Sequence, residues 1–221
     1  MSAKYKSPSF LLPNELNTSA NPANDTGVNS LYSMKFNGSS DYIDLGANFY
    51  QVGSGDVSIS VWIKPQSQSG NNDIIAIGAN TGSRIRLQRR GNNFGAYINN
   101  SAGSGSALTG STTITNGVWY HLALIKSGTT FTLYVNTTSE ASGTFTGTFD
   151  SQEGIIGAYF GGGSNNINGQ IDEVAIWDTA LNAGQIFNDL YQPTATGSNP
   201  TADLVNNPNL PNPVAWYRMG D

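Results

Sequence analysis

Short runs of alternating apolar and polar residues recur along most of the chain. The clearest is 57–64, where Val57, Ile59, Val61 and Ile63 fall on one face of a strand. Turn-rich segments separate the runs at regular spacing, which predicts an all-β fold of roughly ten short strands in a two-sheet antiparallel sandwich. The predicted strands are 31–36, 41–45, 57–64, 73–79, 84–90, 94–99, 119–126, 131–135, 155–160 and 168–178.

A single helix follows the last of these runs. Apolar residues recur on one helical face after residue 178, which predicts one short surface helix near the C-terminus. The residues of that face are Leu181, Ile186, Phe187, Leu190 and Tyr191.

The ends of the chain differ from its centre in composition. Residues 1–30 are rich in Ser, Asn and Pro and are predicted to form an extended N-terminal arm, either a flexible leader or a tether to a neighbouring subunit. Residues 31–221 are expected to be a single domain. Within it, 192–213 contains five of the nine prolines and reads as an excursion. The segment 214–219 is then predicted to return to the sandwich as a strand.

Composition and charge narrow the function classes. The formal net charge of −5 argues against general nucleic-acid binding. The chain has no cysteine, so disulfides and Cys-ligated metal sites are excluded. We find no recognisable signal peptide and no apolar run approaching the roughly 18 residues of a membrane span.

Several motifs together indicate a family. Ordered segments resemble laminin-G-like and pentraxin-like jelly rolls of the concanavalin A-like superfamily. They are Phe36-Asn37-Gly38-Ser39-Ser40-Asp41-Tyr42-Ile43, the run 57–65, Trp119-Tyr120-His121-Leu122-Ala123, Gly169-Gln170-Ile171-Asp172-Glu173-Val174 and Pro213-Val214-Ala215-Trp216. The resemblance implies two curved antiparallel sheets. It also implies binding to glycans, phospholipid head groups or proteins, often with calcium; some members of the superfamily hydrolyse polysaccharides.

Metal binding is expected to differ from that of pentraxins. The run 158–163 has no carboxylate where pentraxins hold two calcium ions. We expect at most one structural calcium, held by Asp172 with carbonyls from the turn at Asn37 and Gly38, because calcium prefers carboxylate and carbonyl ligands. The alternative is that Asp172 accepts hydrogen bonds from backbone amides.

Two groups of residues are candidates for ligand binding. Sugar rings stack on exposed aromatic side chains beside amides. The candidates of this kind are Tyr97, Asn99, Tyr159, Phe160 and Asn165, with packing in the core as the alternative. Arg84 and Arg86 share a strand face and suit carboxylate or sulfate groups; a solvated face or protection against edge pairing is the alternative.

Catalysis is not expected. Glycosidases of this superfamily carry a Glu-x-Asp-x-Glu triplet or a close variant, which the chain lacks, and Asp172 and Glu173 point to opposite faces of their strand. We therefore predict a non-catalytic recognition or adhesion module that binds a glycan or a protein surface. We expect it to work at an extracellular or virion surface, as a virion structural or decoration protein. The alternatives are a purely architectural subunit and, more weakly, a glycan hydrolase.

Overall fold

The computed structural model describes residues 4–6, 9–10, 33–47, 49–50, 52–79, 82–99, 105–149, 153–191 and 203–219. Its strands are β1 (Lys4–Lys6), β2 (Ser9–Phe10), β3 (Met34–Asn37), β4 (Tyr42–Ala47), β5 (Val57–Pro65), β6 (Asn71–Gly78), β7 (Arg84–Arg90), β8 (Asn93–Asn99), β9 (Gly105–Thr113), β10 (Tyr120–Ser127), β11 (Thr130–Val135), β12 (Thr138–Thr144), β13 (Glu153–Ile156), β14 (Asn168–Trp177) and β15 (Ala215–Tyr217).

These strands form two antiparallel sheets packed face to face. The seven-stranded sheet has the order β1-β4-β13-β6-β7-β8-β9. The eight-stranded sheet has the order β12-β11-β10-β5-β14-β3-β2, and β15 also pairs with β14. The prediction of an all-β, two-sheet antiparallel sandwich is confirmed.

The core lies between the two inner faces. On β5, the four aliphatic residues Val57, Ile59, Val61 and Ile63 are buried in it, as the alternation predicts. The opposite side of β5 is buried as well. There Ser58 donates a hydrogen bond from Oγ to the carbonyl of Thr179 at 2.6 Å, so a further layer covers the outer face of this sheet.

That layer contains the predicted C-terminal helix. An α-helical turn, α1 (Ala183–Gln185), begins after a capping box made by Asn182 and Gln185, and it continues as one π-helical segment, Ile186–Tyr191. The prediction of one short helix is confirmed. Apolar residues just before this segment, within it and after it pack on the eight-stranded sheet; they are Leu181, Ile186, Leu190, Leu204 and Leu210.

Two strands lack the alternating apolar pattern that predicts the others. The Gly, Ser and Thr residues of β9 and β12 show little apolar alternation, although Leu108 of β9 is buried. Their pairing with the regular strands β8 and β11 nevertheless extends both sheets. Side-chain pattern alone does not find them, because backbone pairing rather than burial makes them strands.

The strand predicted at 155–160 is shorter than expected. β13 ends at Ile156 because Gly157 adopts a φ of +90°, which favours glycine. A side chain at Gly157 would also meet the ring of Phe36 at 2.5 Å. The chain therefore turns out of the sheet here and forms the loop 157–167.

Parts of the predicted arm and excursion lie outside the described residues. Of 1–30, the structure describes the backbone of β1, which pairs with β4, and of β2, which pairs with β3. The excursion is described from residue 203 onward. β15 pairs with the end of β14 through Val174, Ala175 and Ile176. Among the described residues, no helix has both the length and the apolar character to cross a membrane.

The single histidine, His121 on β10, makes stability depend on pH. Its ring is fully buried, contacts Trp62 and lies 2.8 Å from Ser60 Oγ. Burial lowers the pKa of His121 to about 3. The folded protein therefore keeps the ring neutral, whereas the unfolded chain binds a proton near pH 6.5. The contribution that the neutral ring makes to the unfolding free energy is fully present above pH 6.5 and is lost as the pH falls towards 3.

We expect this residue to remove about 1.4 kcal/mol of unfolding free energy per pH unit below about pH 6. Urea unfolding at pH 7, 6, 5 and 4 measures the slope. The control is His121→Gln, which should be less stable at pH 7 but should show a shallower slope, since carboxylates contribute equally to both proteins. Equal slopes in the two proteins would rule out His121 as the source.

Candidate functional site

The outer face of the seven-stranded sheet carries most of the polar candidates. Ile85 and Leu87 of β7 point into the core, so the alternate residues of that strand point outward. The outward residues are Arg84, Arg86, Gln88 and Arg90. On the neighbouring β8, Ala96 and Ile98 face the core and Tyr97 points outward beside the arginines.

The loop 157–167 folds over the next part of the same face. Its residues Ala158 and Phe160 are buried against Ala76 and Ile155, and this small apolar cluster fixes the loop to the sheet. Tyr159 remains half-buried at the surface, where its ring meets Arg86.

Two tyrosines therefore lie on either side of Arg86. The guanidinium carbon of Arg86 is 4.4 Å from the ring centroid of Tyr159 and 5.8 Å from that of Tyr97. The guanidinium carbon of Arg84 is also 5.8 Å from the Tyr97 ring. These distances are within the range of cation–π attraction. We call Arg84, Arg86, Arg90, Tyr97 and Tyr159 the arginine–tyrosine patch.

A buried carboxylate, Asp73 of β6, lies beneath the patch. Arg86 donates to it through Nε at 2.9 Å and through a terminal nitrogen at 2.6 Å, and Gln88 donates at 2.8 Å. Asp73 is fully buried and the Arg86 side chain is 11% exposed. Burial raises the pKa of the Asp73 carboxyl, and its contacts with Arg86 and Gln88 act against that rise.

Asp73 also binds the loop that carries Tyr159. Its backbone amide donates to the carbonyl of Asn165 at 2.8 Å, and the Asn165 side chain donates to its carboxylate at 3.5 Å. One carboxylate thus orients both the arginine and the loop on either side of it. Asp73 is a positioning residue for the patch.

Sequence reasoning did not identify Asp73 because a β-bulge changes its direction. Strict alternation would place Asp73 on the same face as Ile75 and Ile77, in the core. The register between β6 and β7 shifts between Asp73 and Ile75, so Asp73 pairs with Gln88 and points outward. The sequence does show a carboxylate at the start of an otherwise aliphatic strand. The bulge that turns this carboxylate outward arises from the pairing of β6 with β7, so the sequence of β6 alone does not reveal it.

The predicted ligand-binding residues separate into two groups. Tyr97, Tyr159, Asn165, Arg84 and Arg86 come together on one face, although they arise from distant parts of the sequence.

Phe160 and Asn99 require a correction. Phe160 is 5% exposed and packs in the apolar cluster under the loop, so it offers no ring surface for stacking. Asn99 is also 5% exposed, and its amide donates to the carbonyl of Gly82 at 2.8 Å. Both residues support the local structure and do not present their side chains to a ligand.

The predicted calcium ligands do not share a site. Asn37 pairs with Asn168, whereas Asp172 lies four residues further along β14, about 13 Å away. Asp172 Oδ1 accepts hydrogen bonds from the amides of Glu173 at 2.9 Å and Met219 at 3.2 Å. The expected grouping of Asp172 with Asn37 and Gly38 is therefore wrong, and the hydrogen-bonding alternative describes Asp172.

The side-chain oxygen Oδ1 of Asn37 accepts hydrogen bonds within its own turn. It accepts from the amides of Ser39 and Ser40, each at 2.9 Å. Gly38 has a φ of +76° and continues the turn. Within the described part of the chain, no three His, Cys, Asp or Glu side chains group as a metal site would require.

The comparisons with known proteins agree with this architecture. A laminin-G-like family model, described as the concanavalin A-like lectin/glucanases superfamily, matches residues 37–187. No curated protein sequence is significantly similar to the chain.

Among solved structures, domain 4 of AbnA, an extracellular arabinanase from Geobacillus stearothermophilus in complex with arabinotriose, is 22% identical. The match covers 71% of this chain and 75% of that chain, with a TM-score of 0.60. A SAP-like pentraxin from Limulus polyphemus is 13% identical over 86% of this chain and 92% of its own, with a TM-score of 0.57.

The receptor-binding domain of botulinum neurotoxin D is 17% identical over 70% of this chain, with a TM-score of 0.57. The match spans 42% of that toxin domain. At these identities the three structures show a shared fold.

The ion pair between Asp73 and Arg86 should make the effects of these two residues on the unfolding free energy depend on each other. Asp73→Asn leaves the Arg86 cation without its counter-ion, and Arg86→Gln leaves a buried carboxylate. We expect each substitution to lower the unfolding free energy by about 3 kcal/mol. The double variant should lose less than the sum, because it leaves neither charge unpaired. Chemical denaturation of the four proteins measures the coupling; additive losses would show that the pair acts as two independent groups.

Proposed function

Because the chain belongs to the laminin-G-like family of the concanavalin A-like lectin/glucanases superfamily, we propose that it is a non-catalytic recognition module that binds glycans. The ligand surface is the outer face of the seven-stranded sheet, at the arginine–tyrosine patch. The observation that carries the proposal is the arrangement of Tyr97 and Tyr159 on either side of Arg86.

The geometry of the patch suits a saccharide. Tyrosine rings offer an apolar surface for the C–H face of a sugar, and neighbouring guanidinium groups donate hydrogen bonds to its oxygens. A buried carboxylate, an apolar cluster and backbone hydrogen bonds orient these groups before a ligand arrives. Preorganised side chains lose less conformational entropy on binding.

The other broad face of the sandwich is less accessible. The helical segment and the chain from residue 203 cover the outer face of the eight-stranded sheet through Leu181, Ile186 and Leu204. Trp62 on that face stacks on Tyr191 with ring centroids 5.7 Å apart. The rings of Trp62 and Tyr191 are therefore engaged in packing.

The chemistry of the patch supports binding rather than hydrolysis. Its underlying carboxylate, Asp73, accepts hydrogen bonds from Arg86 and Gln88 on Oδ1 and from Arg86 on Oδ2. A glycosidase needs two carboxyl groups that reach the scissile bond from opposite sides. Incubation with polysaccharides should release no reducing ends.

Glycan binding should depend on the two tyrosines. Tyr97→Ala and Tyr159→Ala each remove a stacking surface worth about 0.5–1.5 kcal/mol, so we expect association constants to fall about two- to twelvefold. A glycan array identifies ligands, and calorimetry measures the variants. The control is Phe187→Ala, which removes a 46% exposed ring from the other side of the sandwich.

Two outcomes would count against this site. If Phe187→Ala weakened binding as much as the tyrosine variants, the ligand would lie on the other sheet. If no glycan on the array bound with or without added calcium, the recognition proposal would fail. Repeating the array with a chelator also tests for a calcium requirement.

We further propose that the module works at an extracellular or virion surface, where its N-terminal residues contact a neighbouring subunit. The supporting observation is that β1 and β2 add to different sheets, one to β4 and one to β3. A strand bound at a sheet edge through backbone hydrogen bonds can come from another chain as well as from the same one.

Removal of residues 1–10 tests this second proposal. If the arm joins subunits, the full chain should form concentration-dependent oligomers in light scattering, and the truncated chain should be monomeric. A full chain that stays monomeric at high concentration would exclude the tether.

A further inference from the structure

The arginine–tyrosine patch is positively charged on a protein of negative net charge. The elements β6, β7, β8 and β9 and the loop 157–167 contain three arginines, Arg84, Arg86 and Arg90, besides Arg89, which lies on the other side of β7. Asp73 is the single carboxylate in the sequence of these elements. Arg84, Arg86 and Arg90 together with Asp73 beneath them sum to +2, while the chain carries a formal net charge of −5. Glu153 of β13 also approaches the loop, where it accepts a hydrogen bond from the amide of Gly161 at 3.3 Å.

Two of the outward arginines, Arg86 and Arg90, have different environments. Arg86 uses two nitrogens to bind Asp73, so its charge is balanced within the sheet. Arg90 contacts a neutral group instead, since one terminal nitrogen donates to Gln88 Oε1 at 2.8 Å. The Nε atom of Arg90 is buried and has no hydrogen-bond partner among the residues that the structure describes. Among the described residues, no hydrogen bond joins Arg90 to a carboxylate, so its charge is less completely balanced than that of Arg86.

The electrostatics around Arg90 favour an incoming anion. Burial lowers the pKa of Arg90, and the positive charge of Arg86 lowers it further, while Asp73 acts in the opposite direction. The group remains charged at neutral pH, because the guanidinium of arginine is not deprotonated in proteins. A negative ligand group would offset both the lost hydration and the repulsion between the two cations.

A glycine fixes the position of this arginine. Arg90 lies across Gly95 of β8, where a side-chain Cβ would come within 2.3 Å of Arg90 Cδ. The absence of a side chain at Gly95 lets the stem of Arg90 lie against the sheet. A guanidinium restrained in this way loses less entropy when it binds a planar carboxylate or a sulfate.

The tyrosine rings that would contact sugars alternate with the charged arginine side chains. Outward residues two apart on a strand are about 7 Å from each other, roughly the size of one sugar ring. Arg84 and Arg90 are six residues apart along β7, with the Tyr97 ring against Arg84 and Arg86. A chain of sugars crossing the patch would meet a cation at each end and a tyrosine between them.

We infer that the ligand of this patch is an anionic saccharide, with carboxylate or sulfate groups bound by Arg84 and Arg90 while Tyr97 and Tyr159 contact the sugar rings. This inference rests on the proposed glycan-binding function and specifies its ligand class. Arg86, tied to Asp73, positions the tyrosines and contributes less to the choice between neutral and anionic sugars.

Matched saccharide pairs test the inference with the full chain. The probes are trigalacturonate and its methyl ester, and 3′-sulfolactose and lactose, measured by calorimetry at low and high salt. We expect at least one anionic member to bind about tenfold or more tightly than its neutral partner, with the difference shrinking as salt screens the charges. The two pairs distinguish a carboxylate ligand from a sulfate ligand.

Variants that remove a positive charge test which arginines cause the preference for anionic saccharides. Arg84→Gln and Arg90→Gln should each reduce the ratio of anionic to neutral affinity several-fold, because glutamine still donates hydrogen bonds but carries no charge. The matched control is Lys35→Gln, which removes the same charge from an exposed position on β3 of the other sheet. If Arg90→Gln does not fold, Arg84→Gln and the salt dependence of the unmodified chain still decide the question.

The outcomes distinguish failure of the anionic-ligand inference from failure of the glycan-binding proposal. Equal affinity for neutral and anionic partners, through Tyr97 and Tyr159, would overturn the anionic class and leave glycan binding intact. A preference lost equally in Lys35→Gln would show a general charge effect and overturn the assignment to Arg84 and Arg90. Stronger binding of a single-stranded oligonucleotide than of any saccharide, or no saccharide binding at all, would overturn both.

Discussion

A buried ion pair connects the parts of the molecule that form its most distinctive surface. Asp73 sits at a β-bulge in β6 and holds Arg86 of the neighbouring strand through two hydrogen bonds. The same residue binds the backbone of the loop that carries Tyr159. A buried carboxylate and guanidinium are costly to desolvate unless each is well paired, so this arrangement has few alternatives once the sheet forms. The orientation of Arg86, and with it the contacts to both tyrosines, depends on that constraint.

The two sheets use their outer faces differently. The eight-stranded sheet buries both sides, since the helical segment and the chain after residue 203 pack on it around Trp177 and Ile186. On the seven-stranded sheet, the loop 157–167 packs its apolar residues over Ala76 and Ile155 and leaves Tyr159 at the surface. The aliphatic core between the sheets supports both faces. This asymmetry leaves the arginine–tyrosine patch on the outer face of the seven-stranded sheet, where three arginines and two tyrosines lie together.

Charge gives the patch its chemical character. A protein with a net charge of −5 repels most acidic polymers at long range, but salt screens that repulsion beyond about 10 Å. Close to the patch, the local arginines dominate. Their arrangement over tyrosine rings favours a ligand that combines ring surfaces with negative groups, and the restraint of Arg90 across Gly95 reduces the entropy lost when such a ligand binds.

Much of this could be predicted from the order of residues. The alternation on β5, the short apolar helix face and the family motifs determined the class of fold, because burial of one strand face leaves a period of two in the sequence. The same period placed Arg84 and Arg86 on a common face. Tertiary structure alone decided the rest. The bulge that turns Asp73 outward, the burial of Phe160 and Asn99, and the distance between Asp172 and Asn37 follow from strand register and loop packing. Those are contacts between distant segments, and no local pattern of side chains encodes them.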